Sequence, residues 1–132
     1  MKSGIYLVNS TDQTIADGDV IDLGYIVRRY GNMSSSGKYA LVNGAGYYAL
    51  DATVTFDITT TGEATVTAYK DGFPIEGATA TVQATATEPI TVPLMAMFRK
   101  TGCCYEPASR IYLVWSGGAA TITDVDTRII KL

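Results

Sequence analysis

The chain has 132 residues, of which 47% are hydrophobic and 17% are charged, and its formal net charge is −3. This length predicts a single domain over residues 1–132, and the apolar content with nine tyrosines excludes a disordered chain. The weak negative charge argues against nucleic acids and membranes as partners, because both favour basic surfaces. The low charge also indicates that a partner covers part of the monomer surface.

The sequence contains no histidine. Histidine is the commonest general base and the commonest metal ligand, so neither a Ser-His-Asp triad nor a Cys-His pair can form. No glycine-rich phosphate-binding loop with its lysine is present either. We therefore expect no enzymatic activity, no catalytic residue, no cofactor and no metal.

The start of the chain carries only a short apolar run, residues 5–8, which is too short for the core of a secretory signal. No run approaches the ~20 apolar residues of a membrane span. We expect the protein to stay in the cytoplasm of the cell that makes it unless lysis or a dedicated machine releases it. Cys103 and Cys104 are adjacent in sequence. A disulfide between neighbouring cysteines is rare because it strains the peptide bond between them. Buried or loop thiols are favoured for them over an intermolecular disulfide or a redox role.

Alternation of apolar and polar residues predicts strands throughout, and no window shows helical periodicity. The first expected strands cover residues 5–9, 20–30 and 38–43. The longest alternation, residues 47–58, directs one face toward a core and the other outward. The predicted core face consists of Tyr48, Leu50, Ala52, Val54, Phe56 and Ile58.

The second half of the chain continues this pattern. Asp71-Gly72 is a strong hairpin signal, because a type I′ turn needs positive φ at both central residues. Pro89 and Pro93 indicate an edge strand or a bend. A slip in the alternation near residues 124–126 indicates a bulge. Further strands are expected at residues 64–70, 78–87, 89–99, 109–116 and 119–132. About eight to ten short strands predict an all-β antiparallel sandwich or barrel.

Three short motifs carry a family resemblance: Gly46-Tyr47-Tyr48, Lys70-Asp71-Gly72 and the closing Ile129-Ile130-Lys131-Leu132. In this order they resemble the C1q/TNF-like jelly-roll superfamily. Residues 42–77 and the last fifteen are most similar to the C-terminal domains of bacterial collagen-like spore-surface proteins, which share a Gly-x-Pro-Ile element like residues 72–75. Residues 14–16, residues 23–31 and the cysteine pair look like small uncharacterised proteins of Firmicutes phages and prophages.

The resemblance implies an antiparallel jelly-roll sandwich that assembles as a compact homotrimer around a three-fold axis. The chain lacks the Gly-X-Y stalk of the secreted members. This difference favours a phage virion structural protein, of the capsid decoration or head-fibre type, over a spore-surface role. Such a protein is made in the bacterial cytoplasm, released in the virion by lysis, and contacts other virion proteins. The alternative is a trimeric binding module that recognises a glycan or a cell-surface ligand through its loops.

Four outward side chains are candidates for the subunit interface. Tyr47 alternates away from the core face, as does Tyr112, and Met95 and Met97 alternate away from their apolar neighbours. Aromatic residues and methionine are enriched at protein interfaces. Exposed aromatic residues also occur in lectin-like sites, but location on strands and low charge favour an interface.

Two sets of carboxylates remain. The first set could serve glycosidase chemistry, which needs two converging carboxylates: Asp51, Asp57, Asp124 and Asp126. The favoured interpretation is that these side chains lie on the solvated surface. The second set, Asp17, Asp19 and Asp22, could offer oxygen ligands to calcium. It lacks the EF-hand register, so an Asp-Gly turn is favoured there.

Overall fold

The computed structural model describes residues 2–102 and 107–132. Over these ranges the chain forms eleven β-strands and no helix, so this part holds no helix that could span a membrane. The predicted all-β class is therefore confirmed, with one strand more than expected. The strands are β1 (Gly4–Asn9), β2 (Gln13–Ile15), β3 (Tyr25–Tyr30), β4 (Met33–Ser36), β5 (Tyr39–Val42), β6 (Gly46–Ile58), β7 (Gly62–Lys70), β8 (Phe73–Ala84), β9 (Ile90–Lys100), β10 (Ser109–Gly117) and β11 (Ala120–Lys131).

The strands form two antiparallel sheets that pack face to face. The six-stranded sheet has the order β3-β1-β11-β6-β9, and the short β2 pairs with the start of β11. The five-stranded sheet has the order β4-β5-β10-β7-β8. Neighbours in each sheet are mostly distant in sequence, as in a jelly roll. Proline cannot donate to a ladder, which is consistent with Pro93 in the edge strand β9.

The core lies between the sheets and follows the alternation of the strands. All six residues of the predicted core face of β6 are at most 2% exposed. Phe56 packs edge-on against Trp115 of the opposite sheet, with 4.7 Å between ring centroids. Tyr48 stacks on Phe98 at 5.3 Å, and its hydroxyl lies 2.8 Å from the Gly44 carbonyl oxygen. Burial raises the pKa of the Tyr48 phenol.

The expected strand at residues 20–30 is wrong in its first half. Val20 forms an isolated bridge with Val114, and β3 begins only at Tyr25. Gly24 explains the break, since its φ of 87° is favourable only for glycine, and a Cβ atom there would lie 2.1 Å from the Val8 carbonyl oxygen. The chain thus lies close against the end of β1 where it joins the sheet edge.

Other boundaries also differ from the expectations. The strand predicted at residues 38–43 corresponds to β5, which forms a hairpin with the preceding strand β4. The short strand β2 was not predicted. Asp71 and Gly72 do adopt positive φ, at 50° and 90°, but β8 begins directly after them rather than at residue 78. The bulge in β11 is confirmed by a register shift between Ile122 and Asp124. The cysteine pair at residues 103–104 lies outside the described residues.

Candidate subunit interface

The outer face of the six-stranded sheet carries most of the exposed apolar surface. Nine large hydrophobic side chains are exposed in the described part of the chain. Six of them lie on this one face, as the strand register shows: Tyr25, Tyr30, Tyr47, Met95, Met97 and Ile130. We call this surface the apolar face.

Three of the four predicted interface residues meet on the apolar face. Met97 pairs with Ala49 and Met95 with Asp51, while Tyr47, which pairs with Arg99, lies two residues before Ala49 on β6. Their side chains are 62%, 74% and 56% exposed for Met97, Met95 and Tyr47. The Arg99 guanidinium lies 5.7 Å from the centre of the Tyr47 ring. Alternation within β6 and β9 therefore placed these three residues correctly on a common surface.

One row of small and apolar residues crosses the whole sheet. Its members are in register from the β3 edge to the β9 edge: Tyr30, Gly4, Ile130, Ala49 and Met97. Gly4 leaves room for its neighbour, because a Cβ atom there would lie only 2.7 Å from the Tyr30 ring. The Tyr30 ring therefore lies over β1, close to Ile130, and extends the apolar surface to the sheet edge.

The next row combines charge with aromatic surface. The guanidinium of Arg128 lies 5.5 Å from the centre of the Tyr6 ring. Its Nε atom is 3.6 Å from Oδ2 of Asp51, and both side chains are nearly half exposed. An exposed pair of this kind stabilises the monomer little. The Arg128 guanidinium is nevertheless held over the apolar face, where a partner subunit can contact it.

Carboxylates occupy the far end of the same face. Asp124 and Asp126 follow the bulge of β11, and Asp57 lies across from Thr121. Burial, the negative charge of Asp126 and a hydrogen bond with Asp126 raise the pKa of the Asp124 carboxyl. The face is therefore apolar near the starts of β1 and β6 and acidic toward the start of β11.

Tyr112 does not belong to the apolar face. It lies on the outer face of the five-stranded sheet, between Tyr39 and Tyr69. Alternation correctly predicted that its side chain points away from the core, but it could not say on which sheet. A single subunit contact that covers Tyr47 and the two methionines cannot also include Tyr112.

Sequence reasoning also missed part of the apolar face. Tyr30 and Ile130 are 48% and 49% exposed and complete the row at its β3 side. Ile130 was detectable, since it alternates with the buried Ile129 in the closing strand. Tyr30 was not, because a bulge in β3 breaks the alternation before it.

The carboxylates considered for calcium serve the turns around them. The Asp17 and Asp19 side chains accept hydrogen bonds from the amides of Gly117 and Ala16, each at 2.9 Å. Asp22 accepts from the Gly24 amide at 2.9 Å. Over residues 2–102 and 107–132, no group of three potential metal-ligating side chains is brought together. The other four carboxylates share the outer face of one sheet, where Asp51 is paired with Arg128.

Comparison with known proteins identifies the fold. No protein-family model and no curated protein sequence matches the chain. The structure is similar to murine APRIL at pH 5.0, with a TM-score of 0.76 and 15% identity over 100% of both chains. It is also similar to the globular domain of zebrafish complement 1qA, with a TM-score of 0.68 and 4% identity over 95% of this chain and 94% of that one.

A third likeness is to the PRD1 vertex protein P5, with a TM-score of 0.57 and 19% identity over 98% of this chain and 96% of that one. Together these likenesses confirm the C1q/TNF-like jelly-roll fold that the sequence predicted. At such low identities they establish the fold alone.

Proposed function

We propose that the protein is a structural protein of a phage virion, of the capsid decoration or head-fibre type, that assembles as a homotrimer through its apolar face. The observation that carries the proposal is the concentration of six exposed large hydrophobic side chains on one sheet. A cluster of exposed apolar side chains on one face of a soluble protein often marks a surface that a partner covers. Three copies related by a three-fold axis would remove this surface from water.

The opposite sheet provides the contrast that supports this assignment. Its outer face presents threonine pairs across β7 and β8, with Thr65 and Thr81 hydroxyls 3.0 Å apart and Thr67 and Thr79 hydroxyls 3.3 Å apart. Such a hydroxyl surface is well solvated and gains little from burial. Assembly through the six-stranded sheet would therefore leave these threonine pairs on the outside of the trimer.

Two points support a virion setting. One is the likeness to the PRD1 vertex protein P5, which covers 98% of this chain. The sequence also resembles small phage and prophage proteins in residues 14–16 and 23–31. Such a protein would be made in the bacterial cytoplasm and leave the cell in the virion at lysis, in contact with other virion proteins.

Two measurements test the proposal in its two parts. Light scattering on the purified chain is expected to give three times the 14.1 kDa monomer mass. A mass of 14.1 kDa at every concentration would exclude the trimer. For the setting, genes for portal, capsid and tail proteins are expected beside the gene, and antibodies against the chain are expected to label the purified particles. Particles that lack the protein would exclude a virion role and leave the trimer unaffected.

A further inference from the structure

A row of tyrosines crosses the outer face of the five-stranded sheet. Tyr69 pairs with Tyr112 on one side and with Pro74 on the other. Tyr39, which pairs with Ser36, packs edge-on against Tyr112 with 5.1 Å between ring centroids. Tyr69 and Tyr112 are stacked at 5.6 Å. Three adjacent strands thus each contribute one tyrosine to a continuous aromatic strip.

The strip differs from the apolar face in its surroundings. The tyrosines are half-buried, and the threonine pairs of β7 and β8 lie further along the same face. In the described part of the chain, Tyr48 is the tyrosine whose hydroxyl is hydrogen-bonded to a chain carbonyl. The hydroxyl groups of the strip therefore remain available to a ligand.

A cleft with two opposite charges adjoins the strip. Its lining consists of Tyr39, Tyr112, Arg110 and the Asp71-Gly72 turn. The turn is fixed to β10, because the Arg110 amide donates to Oδ1 of Asp71 at 2.8 Å and the Asp71 amide donates to the Arg110 carbonyl at 3.0 Å. The cleft walls are thus held in place before any ligand binds.

The charged groups of the cleft do not neutralise each other. The Arg110 guanidinium lies 5.5 Å from the centre of the Tyr39 ring. The Arg110 and Asp71 side chains do not form a salt bridge with each other. Over residues 2–102 and 107–132, the salt bridge that forms is Arg128–Asp51 on the other sheet. The cleft therefore offers hydrogen-bond donors from a guanidinium and acceptor capacity from a carboxylate, beside aromatic rings.

We propose that this cleft and the tyrosine strip bind a saccharide. A sugar ring presents apolar C–H groups that pack on aromatic side chains, and hydroxyl groups that both donate and accept hydrogen bonds. A carboxylate accepts from such hydroxyls and a guanidinium donates to them, and hydrogen bonds to charged groups are the stronger ones. The site consists of a sheet face and the β7–β8 hairpin turn beside it, and it does not depend on the trimer.

Saturation-transfer NMR with the full chain tests the proposal. The probes are three oligosaccharides of different chemistry: cellotriose, which is neutral, chitotriose, which is N-acetylated, and sialyllactose, which is acidic. At least one probe is expected to receive saturation on its ring C–H protons. If none of the three does, the proposal is overturned.

Variants then locate the binding site. Asp71→Asn keeps both the tolerance for positive φ and the oxygen that accepts from the Arg110 amide, so it removes only the charge. Asp71→Asn, Arg110→Gln and Tyr112→Ala are each expected to weaken binding of the probe about tenfold or more. Matched controls are Glu63→Gln, an exposed charge on the same sheet, and Tyr47→Ala on the other sheet. Both are expected to bind like the wild type.

Because Tyr112 is half-buried, its variant is compared with the wild type in thermal melts. The two charge variants decide the question even if Tyr112→Ala fails to fold, since both residues are exposed. Wild-type binding by Asp71→Asn and Arg110→Gln together would overturn the proposal, as would loss of binding in Tyr47→Ala alone. A light-scattering mass measured on each variant separates this result from any failure of the trimer.

Discussion

Replacing Met97 by aspartate tests the apolar face at the β9 edge of its central row. Met97 is 62% exposed in the isolated chain. Full burial of a methionine side chain contributes about 1.5–3 kcal/mol, so covering the remaining surface contributes about 1–2 kcal/mol per subunit. Over three subunits this amounts to about 3–6 kcal/mol, which is roughly two to four powers of ten in the trimer association constant. A buried carboxylate adds a further penalty, so this range is the minimum expected loss.

Sedimentation velocity over a dilution series measures the effect. The wild type is expected to sediment as a trimer and Met97→Asp as a 14.1 kDa monomer with unchanged circular dichroism. Gln83→Asp is the matched control, because Gln83 is an exposed outward residue on the edge strand of the other sheet. It is expected to remain trimeric. A Met97→Asp protein that dissociates no more readily than Gln83→Asp would refute the apolar face as the subunit contact.

Three further predictions concern the monomer. Phe56→Ala is expected to lower the free energy of unfolding by about 3–5 kcal/mol because the side chain is fully buried. Thr55→Ala is expected to lower it by at most about 1 kcal/mol. Denaturant melts that rank the two variants in the opposite order would show that the inward and outward faces of β6 are exchanged. Burial raises the pKa of Asp124, so above that pKa the ionised carboxylate destabilises the native state. This destabilisation disappears as the pH falls to the pKa that Asp124 has in the unfolded chain. Asp124→Asn should therefore raise the melting temperature at neutral pH but not in strong acid, and an equal gain at both would contradict this cause. Gly4→Val is expected to lower the melting temperature by a clash with Tyr30, and Tyr30→Ala should restore it in the double variant if that clash is the reason.

The sequence was sufficient to predict the core face of β6 because that strand follows a period of two along its length. The inward residues of β6, including Phe56, were assigned correctly from alternation alone. The boundaries near the start were not predictable in this way. There the chain depends on tertiary contacts, such as the close approach of Gly24 to the Val8 carbonyl, which leave no periodic pattern.

The candidate interface was predictable only in part, for a related reason. Alternation shows whether a side chain such as Met95 or Tyr112 points inward or outward. It contains no information about which sheet a strand joins, because strand order depends on pairings between distant segments. Tyr112 was therefore grouped with residues on the opposite side of the sandwich, and its own neighbours, Tyr39 and Tyr69, were not recognised.

The position of β11 has a consequence for synthesis in the cell. This last strand of the jelly roll lies between β1 and β6, in the middle of the six-stranded sheet. Until residues 120–131 have left the ribosome, the two halves of that sheet have nothing to join them, and long-range pairings of this kind form slowly. The apolar face, which spans all of these strands, is therefore complete only in a finished domain. Any assembly through this face therefore requires that the domain has folded first.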